Sequence, residues 1–239
     1  MLSWLPENIS TYGRDIDGLF ALIVWVTTPW FLLMQGIILW SVLFNRRRVG
    51  RRAWYLRGDT WGQLAWILVP TAIILGLDFL IDARSALVWA HIKQRVPAGA
   101  TEVHVTAKQF NWEFLYPGPD GRFGTDDDLT LDNELHVPVG QNVVFTLQSK
   151  DVIHSFFIPN VRLKQDVLPG RSIRGWFNAE KTGRYEIACA ELCGISHYTM
   201  RAFLVVHTAD EYRDWIEEKW PQAASAAAEP GTPTATELS

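Results

Sequence analysis

Only two cysteines, Cys189 and Cys193, occur in 239 residues, which excludes a fold stapled by several disulfides. There is no CxxCH pattern, so no fused c-type haem domain is expected, and no set of paired CxxC motifs of the kind that builds a structural zinc site. Internal repeats are absent too. The turn-rich insert Pro117 to Leu129 holds Asp120, Asp126, Asp127 and Asp128, but their spacing fits no EF-hand loop, so a solvated acidic turn is expected there.

Charge is missing over 26 residues from Leu19 to Phe44, LFALIVWVTTPWFLLMQGIILWSVLF. A helix needs only about 20 apolar residues to cross a bilayer, so this run predicts a transmembrane span. Pro29 inside it is tolerable, because neighbouring groups in a membrane helix can satisfy the freed carbonyl. A second, weaker run from Trp61 to Ile81 contains Pro70 and, near one end, Asp78. Glu7, Asp15 and Asp17 precede the first run, which is also too long for a signal-peptide core, so the first span is expected to be retained.

Between the spans stand six arginines, Arg46, Arg47, Arg48, Arg51, Arg52 and Arg57. Short loops rich in basic residues stay on the cytoplasmic side, so both termini and everything after the second span are expected on the outer, periplasmic side of a cell or inner membrane. Two flanking spans pin these arginines at a membrane surface, which argues against a nucleic-acid patch. From Ala100 onward, 12 Lys and Arg face 20 Asp and Glu, a net −8; the remainder carries 10 against 6, a net +4. An acidic outer region suits a basic soluble partner, although a solvated acidic surface has the same composition.

The expected organisation is a two-helix membrane anchor over 1–99, a β domain over 100–220 and a disordered tail over 221–239. After the linker at Pro97 to Ala100, the stretches VHVTAKQFNWEFLY, LTLDNELHVPVG, NVVFTLQS, HSFFIP, SIRGWFN, GRYEIACA and MRAFLVVH alternate with turn signals, which predicts an antiparallel sandwich or barrel. Asp210 to Trp220 reads as one terminal helix. His91, His104, His136 and His207 lack ligand spacing and are expected at strand edges or in the linker. Trp176, Tyr185 and Phe203 are expected in the core.

The chemistry concentrates in CAELCGISHYTM. A disulfide is the first reading for two cysteines in an exported domain. Against it stands their company: His197 four residues after Cys193, Met200 three further on, and His154 upstream. Thiolate, imidazole and thioether together select soft or borderline metals, and methionine favours copper over zinc. A blue-copper site uses one cysteine; two allow both sulfurs to bridge a pair of coppers, each with a terminal histidine and a weak axial ligand, Met200 or a backbone carbonyl of the cysteine loop.

HSFFIP, LKQDVLPGR and CAELCGISHYTM resemble subunit II of cytochrome c oxidase, whose dinuclear copper centre is called CuA. The likeness covers two amino-terminal transmembrane helices followed by an all-β, cupredoxin-like Greek-key domain, to about Trp220. It implies that His154 and Met200 serve one copper, His197 and the main-chain carbonyl of Glu191 the other, and that Cys189 and Cys193 bridge both. The Glu191 side chain would reach a magnesium ion shared with the catalytic subunit. The implied role is that of a non-catalytic electron-transfer subunit, taking electrons from a soluble donor such as cytochrome c. It would pass them to haem in the catalytic subunit I of a larger oxidase, where O2 is reduced to water with proton translocation.

The sequence also departs from that family. Phe110, in KQFNWEF, stands where the family has a tryptophan that receives the electron, with Trp112 the nearest tryptophan; these two are the candidates for that task. Gln63 replaces a glutamate with a proton-uptake role, which is lost or moved, for example to Asp59. Of the acids matching the family's docking surface, Asp151 and Asp166 are present, while Lys150 stands where an acid is common. Three other readings stay open: the equivalent subunit of a nitric oxide reductase, a metal-free structural subunit as in quinol oxidases, and a copper-delivery protein. The filled ligand set argues against the second, and thiolates held inside a strand-bounded loop against the third.

Overall fold

The computed structural model describes residues 4–52, 55, 57–94, 96–97 and 101–220. The expected disordered tail lies outside the described residues. The chain divides into a helical unit, Arg14–Gln94, and a β unit built from Leu5–Gly13 and the residues after Arg95.

The helical unit consists of α1, Gly13–Phe44, and α2, Trp61–Lys93. Each is long and apolar enough to cross a membrane, and the apolar window of neither contains a buried residue. Such all-round exposure of leucine, isoleucine and tryptophan is tolerable only beside lipid or another protein. Thr27 and Thr71 donate their hydroxyls to the carbonyls of Ile23 and Ile67, both at 2.8 Å, which satisfies these polar groups without water. α2 continues well past the expected end at Ile81, so His91 lies on a helix rather than in a linker.

Ten strands form the β unit: β1 Thr101–Lys108, β2 Asn111–Tyr116, β3 Leu129–Asp132, β4 Glu134–Pro138, β5 Asn142–Ser149, β6 His154–Ile158, β7 Leu163–Val167, β8 Ile173–Asn178, β9 Gly183–Cys189 and β10 Arg201–His207. A short helix, α3 Ala209–Lys219, closes it. The strands make two five-stranded sheets, in the orders β3-β2-β1-β5-β8 and β4-β10-β9-β6-β7. β1 with β5 and β4 with β10 are parallel pairs of distant strands, and the other neighbours are antiparallel; this is the expected cupredoxin-like architecture.

Period-two burial builds the core. Val103, Val105 and Ala107 of β1 face inward, as do Trp112, Phe114 and Tyr116 of β2, and Ala202, Leu204 and Val206 of β10. Phe156 of β6 sits at the centre, its ring 5.1 Å from Trp112 and 5.7 Å from Phe145. Trp176 is buried as expected, but Tyr185 and Phe203 are only half-buried. Both fall on the outward phase of their strands, where Phe203 instead receives the Arg184 guanidinium 3.3 Å over its ring.

Two features differ from the sequence expectation. LKQDV, which is not among the stretches predicted as strands, is strand β7, paired with β6 so that His154 faces Val167 and Ser155 faces Asp166. Residues Leu5–Gly13, grouped with the anchor in the sequence reading, belong to the β unit. Ile9 donates to Asn160 O at 2.9 Å and accepts from Glu180 N at 2.7 Å, the Ser10 hydroxyl donates to Val161 O at 2.8 Å, and Ile9 and Tyr12 are buried.

Candidate metal centre

One end of the second sheet gathers the donor atoms. β9 ends at Cys189 and β10 begins at Arg201, and the Cys189 N–H donates to the Met200 carbonyl at 3.1 Å, closing the intervening loop at its neck. Within the loop, His197 N donates to Gly194 O at 3.1 Å and Met200 N to His197 O at 3.2 Å, folding His197–Thr199 into a 3-10 turn. His154 arrives on the neighbouring strand β6, whose Phe156 pairs with Cys189 and whose Ser155 O accepts from Ala190 N at 3.0 Å.

The side chains then meet in sequence. His154 Nδ1 lies 3.8 Å from Cys189 Sγ, the two sulfurs are 3.9 Å apart, and Cys193 Sγ lies 3.6 Å from His197 Nδ1 and 3.7 Å from Met200 Sδ. The Glu191 carbonyl oxygen is 3.2 Å from Cys189 Sγ, while its side chain is exposed. Two donors bonded to one ion at about 2.0–2.3 Å stand at most about 4.6 Å apart, and all these separations fall inside that limit. His154, Cys189 and Cys193 form a group able to hold a metal ion. Both cysteines are free thiols, and His154, Cys189, Cys193 and Met200 are all buried.

Electrostatics favour a cation here. Burial pushes both thiols upward, but at Cys189 the contacts with His154, with the backbone at Ser155 and Glu191 and with His197 together outweigh it and bring the pKa down to about 6. At Cys193 burial and the adjacent Cys189 charge act together and push it up to about 11. Without a cation the pair therefore holds one negative charge; a second thiolate needs a metal to stabilise it.

Beyond the donors lies a support that sequence reasoning missed. Asp151 Oδ1 lies 2.8 Å from His154 Nε2, and Asp151 Oδ2 accepts from Gln109 N at 2.6 Å. Burial acts to raise the Asp151 carboxyl, but the His154, Gln109 and Val152 hydrogen bonds outweigh it and hold it below the usual carboxylate range. A carboxylate on Nε2 fixes the tautomer that leaves Nδ1 open toward the sulfurs. The Gln109 side chain donates in turn to the Cys193 carbonyl, tying the β1–β2 turn to the cysteine loop. Nothing in the spacing of these residues announces the link, since Gln109, Asp151 and Cys193 come from three separate loops.

The other candidate residues take distinct places. Phe110 is half-buried with its ring against Gly194, where an added Cβ would come within 3.0 Å. Trp112 is 0% exposed and its ring centroid lies 6.1 Å from that of His154. Asp166 accepts from the Ser155 hydroxyl at 2.7 Å and pairs with Lys164 at 3.3 Å on the outer face of β7. Around the site, Leu192, Ile195 and Tyr198 are 77%, 92% and 79% exposed, and Val152 and Ile153 are also exposed, so the rim is apolar.

Residues 103–208 match the family model described as cytochrome c oxidase subunit II, periplasmic domain. An alternative cytochrome c oxidase subunit 2 from Bradyrhizobium diazoefficiens is 32% identical over 238 residues, spanning 90% of this chain and 83% of that protein. The chain belongs to the cytochrome c oxidase subunit II family. Cytochrome c oxidase subunit 2 from Synechocystis is 28% identical, over 94% of this chain and 78% of that protein. A crystal structure of the periplasmic domain of subunit II of cytochrome oxidase from Bradyrhizobium japonicum is 29% identical, covers 54% of this chain and 99% of its own, and superposes with a TM-score of 0.47. Membership in the subunit II family implies copper binding, and the soft donors found at the end of the second sheet suit that metal.

Proposed function

We propose that this chain is the electron-accepting subunit of a haem-copper terminal oxidase, and that it holds a dinuclear copper centre of the CuA type. The observation that carries the reading is the convergence of two free, buried thiols 3.9 Å apart with imidazoles on either side. Cys189 and Cys193 would bridge the metals, with His154, His197, Met200 and the Glu191 carbonyl completing the two shells. When bound, such a pair supplies reversible one-electron chemistry.

The chain's own residues supply rigidity and a dry setting. Asp151 keeps the Nε2 proton of His154, Gln109 pins the cysteine loop, and the loop's neck is fixed by a backbone hydrogen bond. A site held this firmly changes little between oxidation states. The exposed rim of Val152, Ile153, Leu192, Ile195 and Tyr198 suits protein contact, with a soluble donor such as cytochrome c or with the haem-bearing catalytic subunit. Phe110, packed on Gly194 with part of its ring in solvent, is the better placed of the two aromatic candidates to meet a donor, because Trp112 has no exposed surface. Asp166 stays available for docking, whereas Asp151 is committed to His154. The exposed Glu191 carboxylate is free to meet a magnesium ion at the catalytic subunit.

The test is copper quantification with electron paramagnetic resonance on the purified protein. Two coppers per chain with a seven-line signal are expected. One copper, or a Cys189–Cys193 disulfide in the copper-loaded protein, would sink the reading.

A further inference from the structure

The acidity of the β domain is concentrated away from its metal centre. β2 starts next to Phe110 and β10 next to Met200, so both strands run away from the site, toward Tyr116 and His207. β10 covers roughly 20 Å at about 3.3 Å per residue. The acidic insert follows Tyr116 and α3 follows His207, and Trp220 Nε1 donates to the Asp127 carbonyl at 2.7 Å, joining insert and helix at that far end. The insert 117–129 and α3 together hold nine Asp and Glu against three Arg and Lys, a net −6. Residues 221–239 carry a further −2. What is left of the domain from Ala100 onward, including every strand, balances at nine acids against nine bases.

Near the centre the balance is also local. Glu113 lies 2.8 Å from Lys108 and 3.2 Å from Lys150, Asp166 lies 3.3 Å from Lys164, and Glu186 lies 3.0 Å from Arg201. Asp151 is turned toward His154. On the cysteine loop the lone carboxylate is Glu191, the group proposed to face the catalytic subunit. At about 0.1 M salt the Debye length is about 10 Å, half the length of β10, so the far-end charges are largely screened at the rim. An approaching protein therefore meets the exposed Val152, Ile153, Leu192, Ile195 and Tyr198, with half-buried Phe110 beside them, and little net field.

We infer that the soluble electron donor docks on this rim through an apolar, uncharged contact face, and not through a ring of lysines steered by acidic groups. The inference rests on the copper-centre reading above and names the class of partner for it: a small electron-transfer protein whose cofactor edge is surrounded by apolar side chains. Burial of apolar surface on both sides holds such a pair together, and without steering its association depends little on salt.

Surface plasmon resonance on the full-length, copper-loaded chain in mild detergent tests it, with a lysine-rich cytochrome c and the same cytochrome after lysine acetylation as probes. The wild type should bind both forms with affinities within about threefold of each other. Raising salt from roughly 10 to 150 mM, which shortens screening from about 30 to about 8 Å, should change neither by more than that. Ile195→Ser should weaken both forms about tenfold. Lys150→Glu, which upsets the balance at Glu113, should favour the lysine-rich form about fivefold, at low salt only. A loss of about tenfold or more on acetylation or added salt in the wild type would overturn the inference. So would wild-type binding by Ile195→Ser, which would leave the rim to the catalytic subunit, or binding of neither probe. Reduction of the copper pair by ascorbate is followed separately: a pair that takes no electron from it would sink the copper reading, whatever the binding result.

Discussion

At the scale of single residues, the donors were legible in the sequence because four of them fall within twelve residues, Cys189 to Met200, where spacing and residue type speak together. Their supports were not, since a side chain that holds a ligand can come from any strand the fold brings near. Asp151 is the sharpest case: its match to the family's docking surface suggested a docking role, yet it points at a fully buried imidazole. Asp151→Ala strands the Nε2–H of His154 in a dry site and should lower copper affinity by about 10–100-fold, with Asp151→Asn, which keeps an acceptor, falling between; competition with a copper chelator measures both. Gly194 makes a second residue-scale case. Its φ of 141° disfavours other residues, and a Cβ would lie 2.8 Å from Gln109 Nε2 and 3.0 Å from the Phe110 ring. Gly194→Ala should therefore cost about 1–3 kcal/mol of stability, read from urea unfolding, and perturb the copper signal as the loop shifts.

At the scale of elements, alternation revealed most strands but not which phase faced inward. In β10, RAFLVVH buries Ala202, Leu204 and Val206, so the large Phe203 is left on the outer phase although its size argued for the core. β7 was hidden because LKQDV alternates poorly and runs into Pro169 and Gly170. The histidines read as structural prove to be an element-scale joint. His136 of β4 and His207 of β10 meet at 2.8 Å, and Trp215 of α3 stacks on His136 at 4.8 Å. Thr208 and Glu211 cap α3 reciprocally and set its start beside them. Burial lowers both imidazole pKa values; the mutual repulsion of His136 and His207 and nearby Lys219 add to this at His136, while Glu134 and Glu211 oppose it. Tyr116 and Tyr212 flank the stack. A histidine with a lowered folded-state pKa takes up its proton first in the unfolded chain, so its contribution to stability is full above about pH 6.5 and declines below it. The urea midpoint of the copper-loaded protein, in which His154 and His197 are ligated, should fall between pH 7 and 5.5. His136→Gln with His207→Gln should flatten that slope, and an unchanged slope would exclude the pair as its source.

At the scale of the whole molecule, the two helices announced themselves by composition, but the role of the residues before them did not. Leu5–Gly13 carries no strand pattern, yet its backbone pairs with residues that follow β6 and β8, as in the Ser10–Ala179 bridge. The chain thus leaves the β unit at Gly13 and rejoins it after α2, where β1 starts at Thr101. A segment that leaves and returns to one folded body crosses a membrane an even number of times, and α1 and α2 are two helices long and apolar enough to do so. If both helices span, the connection between them, with its six arginines, is expected across the membrane from the β unit. Basic residues in short loops resist export, so the expected side for that connection is the cytoplasmic one. Val49→Cys, among the arginines, should react with a membrane-impermeant maleimide only after cells are opened, and Thr130→Cys, on exposed β3, before it. Unsubstituted protein gives the background from the buried Cys189 and Cys193. Labelling of both positions from the same side would break the even-crossing argument, and labelling in the reverse order would keep the hairpin but invert it.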